Sequence, residues 1–355
     1  MKGMQKMKAS QHEIDQILNV YQNRNAYQGD MHNHGATGGT SDGKSTLEQW
    51  KIDLERLGMD FVAILDHKQV RHMYLPEWDD SIFIGGTEPS TIIKECTATK
   101  RELHYNMIFS DPKQLEELLS EFEEFKFEGG SEGHFSYCAY PRARFLQIVE
   151  SVMARGGFFV YPHPKQYVNS DDPLEYWFRD GIGIEVFYHD MRNSWTADNY
   201  KLWTDLLALD KRVFACSGED GHNVARDTAL TTFYAEEKKS SCYIKYMRDG
   251  DFTCGSVGIR MCMGDTRMGG SCDFDSKKLI VAVDNFHRSV KNPEHTYRID
   301  ILDDKGVAFS EKISCTEPSY FALDAKKVAF YRVEIFDETE NLRIAIGNPI
   351  WNNNK

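Results

Sequence analysis

The chain has 355 residues, of which 41% are hydrophobic and 27% are charged. This composition is typical of a globular protein that is large enough for one large domain and a smaller one. The formal net charge of −13 argues against a nucleic-acid backbone as a bulk partner, because proteins that bind nucleic acid usually carry a basic face. No apolar run approaches the roughly 20 residues of a membrane span, and the polar start lacks the apolar region of an export signal. These features predict a cytoplasmic protein with no membrane partner.

Up to about residue 250, short apolar segments alternate with amphipathic helical patterns. The apolar segments predict buried strands over 61–65, 82–84, 158–161, 182–187 and 213–216. A helix with Leu54 on its apolar face follows a capping box formed by Ser45 and Glu48, and Asp111-Pro112 begins the next helix. Strands that alternate with helices predict a parallel sheet, either open or closed into a barrel.

The pattern changes at Gly255, after which short strands are divided by Gly, Asp and Asn turns. This second part predicts an all-β module, interpreted as a β-sandwich. The predicted organisation is an N-terminal extension over 1–27, an α/β domain over 28–254 and a sandwich over 255–355. In the extension, an amphipathic helix around Ile14 to Tyr21 is expected to pack on the α/β domain.

Histidines and carboxylates follow several of the predicted strands. His32 and His34 are two residues apart in an extended segment, so that both imidazoles lie on one side, which suits two ligands of one cation. The other candidates are Asp66-His67, Glu88 after Gly85-Gly86, His104, His163 and the pair Asp220 and His222. Each has a simpler explanation, since a strand-end aspartate can cap a helix and a single histidine is more often structural. Their coincidence at five strand ends instead predicts a site for Zn, Mn or Fe.

Two other arrangements do not carry the chemistry. The pattern Gly-x-Ser-x-Gly occurs at 39–43 and at 129–133, but neither copy follows an apolar strand into a helix, as a nucleophile elbow must. Both are therefore interpreted as polar loops. Gly43-Lys-Ser45 lacks the spacing of a phosphate-binding loop, and we expect the loop over 38–43 to lie near the metal site.

In chain order, these motifs resemble the PHP superfamily, named for polymerase and histidinol phosphatase. The resemblance covers about residues 28–235 and rests on His32/His34, Ser41-Asp42-Gly43, Asp66-His67, Gly86-Thr-Glu88, His104, His163-Pro164 and Asp220-Gly-His222; Gly183-Ile-Glu185-Val also looks like a strand of this family. It implies a distorted seven-stranded β/α barrel. It further implies one cation on His32, His34, Glu88 and Asp220, and a second on the bridging Glu88 with His104 and His163. A third position, empty in some members, would use Asp42, His67 and His222.

The C-terminal module carries a second resemblance. Gly264-Asp-Thr-Arg-Met-Gly269 and Asn348-Pro-Ile-Trp351 are similar to the β-sandwich of a PHP branch that includes carbamate and aryl-ester hydrolases.

The working hypothesis is hydrolysis of a small, anionic phosphoester by a hydroxide that bridges two cations. Asp220 or His222 would take or return a proton, and His67 would assist the leaving group. Lys68, Arg71, His189 and Arg192 are candidates for substrate contact, although each could be an ordinary surface residue. The rival is a carboxylic-ester or carbamate hydrolase, which should have a more apolar pocket. A non-catalytic sugar- or protein-binding module is the third hypothesis, and the intact ligand set argues against it.

Overall fold

The computed structural model describes residues 8–93, 95, 103–122, 125, 138–166, 177–223 and 225–354. Its helices are α1 (Gln11–Val20), α2 (Leu47–Leu57), α3 (Pro112–Glu121), α4 (Arg142–Ala154), α5 (Ser194–Ala208) and α6 (Ser240–Asp249). The first ten strands are β1 (Asn25–Asn33), β2 (Phe61–Ile64), β3 (Phe83–Thr87), β4 (Ser90–Ile93), β5 (Leu103–His104), β6 (Asn106–Phe109), β7 (Cys138–Tyr140), β8 (Phe158–Tyr161), β9 (Gly183–Tyr188) and β10 (Phe214–Gly218). The others are β11 (Thr231–Ala235), β12 (Phe252–Gly255), β13 (Val257–Met263), β14 (Thr266–Arg267), β15 (Ser271–Cys272), β16 (Lys278–Phe286), β17 (Tyr297–Asp303), β18 (Gly306–Ile313), β19 (Ser319–Asp324), β20 (Phe330–Asp337) and β21 (Leu342–Asn352).

The chain divides into two compact units. Unit 1 comprises Met1–Gln28, Leu230–Glu237 and Asp249–Lys355, and unit 2 comprises Gly29–Ala229 and Lys238–Arg248. The domain boundaries after residues 27 and 254 stay predictions. No helix in the described part of the chain is long and apolar enough to cross a membrane.

Unit 2 contains a largely parallel sheet with helices between its strands, which confirms the mixed α/β class. Seven strands lie side by side in the order β10-β9-β8-β6-β3-β2-β1. Strand β6 runs antiparallel to both of its neighbours, whereas the other adjacent pairs are parallel. A parallel bridge between Asn33 and Gly221 joins the end of β1 to the segment after β10. Strands β5, β4 and β7 form a separate small sheet.

The local sequence explains these elements. All four residues of β2 are buried, as expected for a strand covered on both faces. Helix α3 begins after the capping Asp111 with Pro112 in its first turn, as predicted. The capping box of Ser45 and Glu48 is wrong by one residue. Thr46 caps α2. Its backbone is extended, and its hydroxyl oxygen accepts a hydrogen bond from the Gln49 amide at 3.2 Å. The hydroxyl of Ser45 instead donates to the carbonyl of Asn223.

Unit 1 is rich in antiparallel strands. One sheet has the order β14-β13-β16-β19, and the strands β11-β12-β21-β20-β17-β18 follow one another in a second; its interpretation as a β-sandwich stays a prediction. Helix α1 was expected on the α/β domain, but its Ile17 packs against Ile280 and Ala282 of β16 in unit 1. Glu13 of α1 also bonds Lys278 at 2.7 Å. The apolar stripe predicted the helix correctly but could not identify the sheet that covers it.

Candidate metal centre

Except for Asp42, the predicted ligands lie in or shortly after strands of unit 2. Strand β1 carries His32 and is followed by His34, and Glu88 comes directly after β3. Glycine is required at position 86, because a Cβ there would stand 2.6 Å from both a Leu65 methyl and the Met107 carbonyl. This close packing fixes the strand that presents Glu88.

All nine predicted ligands fall into three groups, and within each group the potential ligand atoms lie within 4.8 Å of one another. The first Glu88 group consists of His32, His34, Glu88 and Asp220. The second Glu88 group consists of Glu88, His104 and His163. The Asp42 group consists of His34, Asp42, His67 and His222, so His34 belongs to two groups.

The two carboxylate oxygens of Glu88 face different groups. Its Oε2 lies 3.3 Å from His32 Nε2 and 3.1 Å from His34 Nε2. Its Oε1 lies 3.0 Å from His104 Nδ1 and 3.3 Å from His163 Nε2. Since the side chain is only 1% exposed, this charge is held inside the protein by the four imidazoles around it. The placement matches that of a carboxylate bridging two cations.

The Asp42 group is more open. The side chains of Asp42 and His222 are 28% and 32% exposed, and Asp42 comes from the loop between β1 and α2. His67 and His222 each bond a backbone carbonyl through Nδ1, at 2.8 Å. Their Nε2 atoms consequently face Asp42, at 3.4 and 3.3 Å. The His34 ring stacks between them, with ring centroids 4.5 Å from His67 and 4.4 Å from His222.

The donor set fits divalent cations. Two ligand atoms bound to one tetrahedral cation stand about 3.4 Å apart, and the ligand atoms of each group lie within 4.8 Å of one another. Each group therefore requires only a modest movement to close around an ion. His32 Nε2 and Asp42 Oδ1 are buried and have no hydrogen-bond partner among the described residues, a costly arrangement unless another group binds there. Mixed imidazole and carboxylate ligands suit Zn, Mn or Fe. The clusters therefore fit a site for more than one divalent cation.

Electrostatics in the first Glu88 group follow from burial and charge together. Burial disfavours the charged imidazoles, but the carboxylates of Glu88 and Asp220 outweigh it and raise the pKa of His32 well above its usual range. Burial likewise opposes charge on His34, yet its hydrogen bonds to Asp220 and Glu88 raise its pKa to about 9. Although burial acts in the opposite sense, the same imidazoles hold the pKa values of Glu88 and Asp220 well below their usual range. Cations at this position would take over the role of the protons on the histidines.

Four non-glycine residues at the site have left-handed backbone conformations. The φ angles are 48° for Lys68, 31° for His163, 59° for His189 and 52° for Asp220. Such conformations cost about 1–3 kcal/mol each and persist where the surrounding structure imposes them. At His163 and Asp220 this backbone conformation belongs to a predicted ligand.

Two residues of β9, Glu185 and Tyr188, contact predicted ligands although the sequence predicts no role for them. Glu185, 1% exposed, accepts hydrogen bonds from His32 Nδ1 at 3.0 Å and from the His163 amide at 2.7 Å. The hydroxyl of Tyr188 donates to Asp220 Oδ2 at 3.1 Å. For Glu185 the sequence signals are a charged residue inside the apolar run from Ile182 to Phe187 and the resemblance of Gly183-Ile-Glu185-Val to a PHP strand. The sequence carries no such signal for Tyr188.

A second carboxyl pair lies behind the first Glu88 group. Asp30 Oδ1 accepts the amides of His32 and Glu219, each at 3.1 Å. Burial, and then the neighbouring Glu219, raises the pKa of Asp30 well above its usual range, and burial raises the pKa of Glu219 to about 7. The Asp30 carboxyl therefore holds the backbone of the predicted ligand His32 and of Glu219, the residue before Asp220. Both acids retain a proton more readily than exposed acids do.

Asp66 is in none of the three groups but holds the loop that carries Asp42. It accepts hydrogen bonds from the Gly35 amide at 2.7 Å and the Ser41 hydroxyl at 3.0 Å, and also from the Thr37 hydroxyl. The first copy of Gly-x-Ser-x-Gly, over 39–43, lies in this loop, which is polar as predicted. The second copy, over 129–133, lies outside the described residues.

The four candidates for substrate contact occupy different positions. Lys68 follows His67 directly, and the Arg71 guanidinium lies beside the Gly38-Gly39 turn, where a Cβ on Gly39 would stand 3.2 Å from Nη1. His189 bonds the Glu219 carbonyl and packs on the Tyr188 ring, with centroids 4.0 Å apart. Arg192 is exposed. Contact with a substrate stays a prediction for all four.

Comparisons with known proteins add little. No protein-family model and no curated protein matches the chain. An amidohydrolase structure from Chromobacterium violaceum, with bound sulfate and no metal, is 15% identical and has a TM-score of 0.38, with coverage of 56% of this chain and 89% of that one. A structure of Endonuclease Q with a 27-mer duplex substrate that has an abasic lesion at the active site is 14% identical and has a TM-score of 0.43. This match covers 63% of this chain and 57% of that one. Because both TM-scores lie below 0.5, neither likeness assigns a fold or an activity to this chain.

Proposed function

We propose that this chain is a cytoplasmic, metal-dependent hydrolase of the PHP superfamily that acts on a small, anionic phosphoester. The observation that carries the proposal is the placement of Glu88, whose two oxygens each face a separate group of histidines. The order of the motifs along the sequence supports the family. The seven strands of unit 2 and the Asn33–Gly221 bridge support the family's distorted barrel.

The three groups would hold two or three cations. One cation would bind the first Glu88 group and another the second Glu88 group, with Glu88 shared between them. A third would bind Asp42, His67 and His222, and His34 lies within reach of it. When bound, such cations supply a nucleophile at neutral pH and positive charge for the oxygens of the substrate.

The chain's own residues would position and move protons. Tyr188 holds one oxygen of Asp220, which leaves Oδ1 directed at the histidines. If no cation occupies the third position, the Nε2 atoms of His67 and His222 face Asp42, at 3.4 and 3.3 Å. His67 could then protonate a leaving group, while His222 or Asp220 takes or returns a proton.

Charge supports a phosphoester over an uncharged ester. Lys68 is adjacent in sequence to His67, and Arg71 lies beside the glycine turn of the loop that carries Asp42. Cationic side chains at the rim of a metal site would attract a phosphoryl group.

One observation favours the alternative, a carboxylic-ester or carbamate hydrolase. Tyr188, which bonds Asp220, is stacked on the partly buried Trp195 with ring centroids 5.3 Å apart and planes at 8°. An aromatic surface next to a metal ligand could bind an apolar ester. The two candidates therefore differ in which residues contact the substrate: Lys68 and Arg71 for the phosphoester, or Tyr188 and Trp195 for the uncharged ester.

Hydrolysis of a small chromogenic panel separates the candidates. Manganese-reconstituted protein would be assayed with a phosphomonoester, a phosphodiester and an aryl carboxylic ester, with the Glu88→Ala variant as background. Metal-dependent cleavage of a phosphoester that the variant lacks is expected. Cleavage of the aryl ester alone would replace the proposal with the esterase, and no cleavage of any substrate would contradict both.

A further inference from the structure

Strand β9 supplies no member of the three groups, yet it contacts ligands in both Glu88 groups. Its residue Glu185 accepts two hydrogen bonds. Oε1 accepts one from His32 Nδ1 at 3.0 Å, and Oε2 accepts one from the His163 amide at 2.7 Å. His32 belongs to the first Glu88 group, and His163 belongs to the second. A single buried carboxylate thus joins two candidate cation sites from behind.

The bond to His32 also determines which ring nitrogen can bind a cation. A carboxylate at Nδ1 keeps the proton on that nitrogen, so Nε2 presents its lone pair to the group. In agreement with this, Nε2 faces Glu88 Oε2 at 3.3 Å and Asp220 Oδ1 at 3.5 Å. The second bond, to the His163 amide, holds a residue whose φ of 31° is unusual for a side-chain-bearing residue.

The neighbouring backbone leaves space for this contact. A Cβ on Gly218 would stand 2.5 Å from Glu185 Oε1 and 2.4 Å from the Cβ of His32. Only glycine allows β10 to approach the pair this closely, and β10 leads directly to Asp220. Gly218 of β10 therefore packs directly against the Glu185 oxygen that bonds His32.

We propose that Glu185 is a positioning residue that keeps both Glu88 groups in the geometry for binding cations. The proposal rests on the proposed metal centre but does not depend on which bond the protein hydrolyses. Losing a partner behind a metal ligand typically weakens metal binding by about 10–100-fold. Glu185 has partners in two groups, so its loss should weaken two cation sites together.

The test is titration of metal-free protein with Mn²⁺ in competition with a chromophoric chelator. The ions to follow are those that Glu88→Ala loses. We expect Glu185→Gln to lower the Mn²⁺ affinity of both of these sites by about 10–100-fold and to leave the affinity of the Asp42 group unchanged. Wild-type affinity for either Glu88-dependent ion in this variant would overturn the proposal.

Three variants separate positioning from other effects. Tyr188→Phe removes only the hydroxyl that bonds Asp220. It should therefore weaken the binding of the ion in the first Glu88 group and leave the second Glu88 group unchanged. Glu334→Gln removes a buried carboxylate of unit 1 that bonds Arg332 and Arg343, and it should lower stability without changing Mn²⁺ affinity. Glu185→Asp keeps the charge but is too short to reach both partners, so it should also bind weakly. Full affinity in Glu185→Asp would show that charge alone matters and would overturn the proposal.

A measurement on the unaltered chain decides the matter if the Glu185 variants do not fold. In Zn²⁺-loaded protein with ¹⁵N-labelled histidine, nitrogen shifts report which atom of His32 carries the proton, with His32→Gln as the assignment control. Protonated Nδ1 is expected, whereas a metal-bound Nδ1 would overturn the proposal. Neither measurement uses turnover, so a lack of hydrolytic activity would contradict the proposed function without deciding the role of Glu185.

Discussion

The Glu88 groups and the Asp42 group differ in burial and support. Glu88 and His32 are both 1% exposed, whereas Asp42 and His222 are about one-third exposed. Glu185 and Tyr188 support the Glu88 groups from a strand. The Asp42 group depends on a loop that is bonded to Asp66. One half of the site, the Glu88 groups, is therefore buried and supported by a strand. The other half, the Asp42 group, is partly exposed and takes Asp42 from a loop.

This difference predicts unequal affinity for cations. Opposite charges attract more strongly where water is excluded, and ligands on strand ends lose little conformational entropy on binding. A loop ligand such as Asp42 has to be ordered, and its group remains in contact with solvent. We therefore expect tightly held ions in the Glu88 groups and an exchangeable ion in the Asp42 group.

The largest expected effect comes from Glu88→Ala. Because each oxygen of Glu88 faces one group, its removal should release both tightly held ions, a greater loss than the 10–100-fold typical of a residue behind a ligand. Elemental analysis after desalting would count the ions that remain. Glu117→Ala, at an exposed position of α3, is the control and should keep full metal content. A Glu88→Ala variant with full content would remove the basis of the comparison.

Substitution in the Asp42 group should release fewer ions than Glu88→Ala does. His222→Asn removes an imidazole whose Nε2 lies 3.3 Å from Asp42, so the exchangeable ion should bind about 10–100-fold more weakly or be lost. The two Glu88-dependent ions should remain, which the chelator titration would show. Simultaneous loss of all ions would mean that the site behaves as one unit, contrary to the proposed division.

Metal affinity should rise with pH. Below its pKa an imidazole holds a proton that a cation has to displace, and the pKa of His34 is raised to about 9 by its carboxylate partners against the effect of burial. The hydrogen bond that His222 donates to Asp42 shifts the pKa of His222 in the same direction. Between pH values of about 6 and 8.5, affinity should increase about tenfold per unit for each displaced proton. Proton release on adding Mn²⁺ in weak buffer measures this, and a flat profile would contradict protonated histidines in the metal-free protein.

The sequence predicted the ligands better than their supports. His32, Glu88 and Asp220 could be identified because strand–helix alternation places polar strand ends at one edge of a sheet. Glu185 could not be assigned, since a glutamate within an apolar run does not disclose its partners in other segments. The double membership of His34 depends on contacts between distant segments, which also bring the rings of His67 and His222 to within 4.5 and 4.4 Å of its own.

The errors in the predicted elements have the same origin. Both Ser45 and Thr46 can cap a helix, and the carbonyl of Asn223, distant in sequence, takes the Ser45 hydroxyl. The apolar stripe of α1 specified that one face is buried, but the surface that covers it is β16, which a local pattern cannot specify. Local sequence chemistry thus predicted the elements, and contacts between distant segments determined the rest.

The smallest effect on metal is expected from Asp66→Asn. In the wild type, one carboxylate oxygen of Asp66 accepts the Gly35 amide and the other accepts the Thr37 hydroxyl. Asparagine keeps one oxygen acceptor, but its NH₂ group faces the other donor and cannot accept that hydrogen bond. The loop that carries Asp42 should loosen, so that the exchangeable ion binds a few-fold more weakly. The Glu88 groups should be unaffected. Weaker binding of a Glu88-dependent ion would show that the two halves are coupled through this loop.

Stability provides a second measure of the same variant. Burial alone would raise the pKa of Asp66, but its contacts with His72, Thr37 and the Gly35 amide lower it from 3.8 to about 2. A lowered pKa means that the carboxylate stabilises the folded protein fully above pH 3.8 and loses this contribution as the pH falls towards 2. The shift corresponds to about 2 kcal/mol. In urea unfolding of metal-free protein, Asp66→Asn should therefore be less stable than the wild type by about 1–3 kcal/mol at pH 7. The difference in unfolding free energy between wild type and variant should narrow as the pH falls from 3.8 towards 2. An equal difference at neutral and acid pH would assign the loss to packing and not to the charge of Asp66.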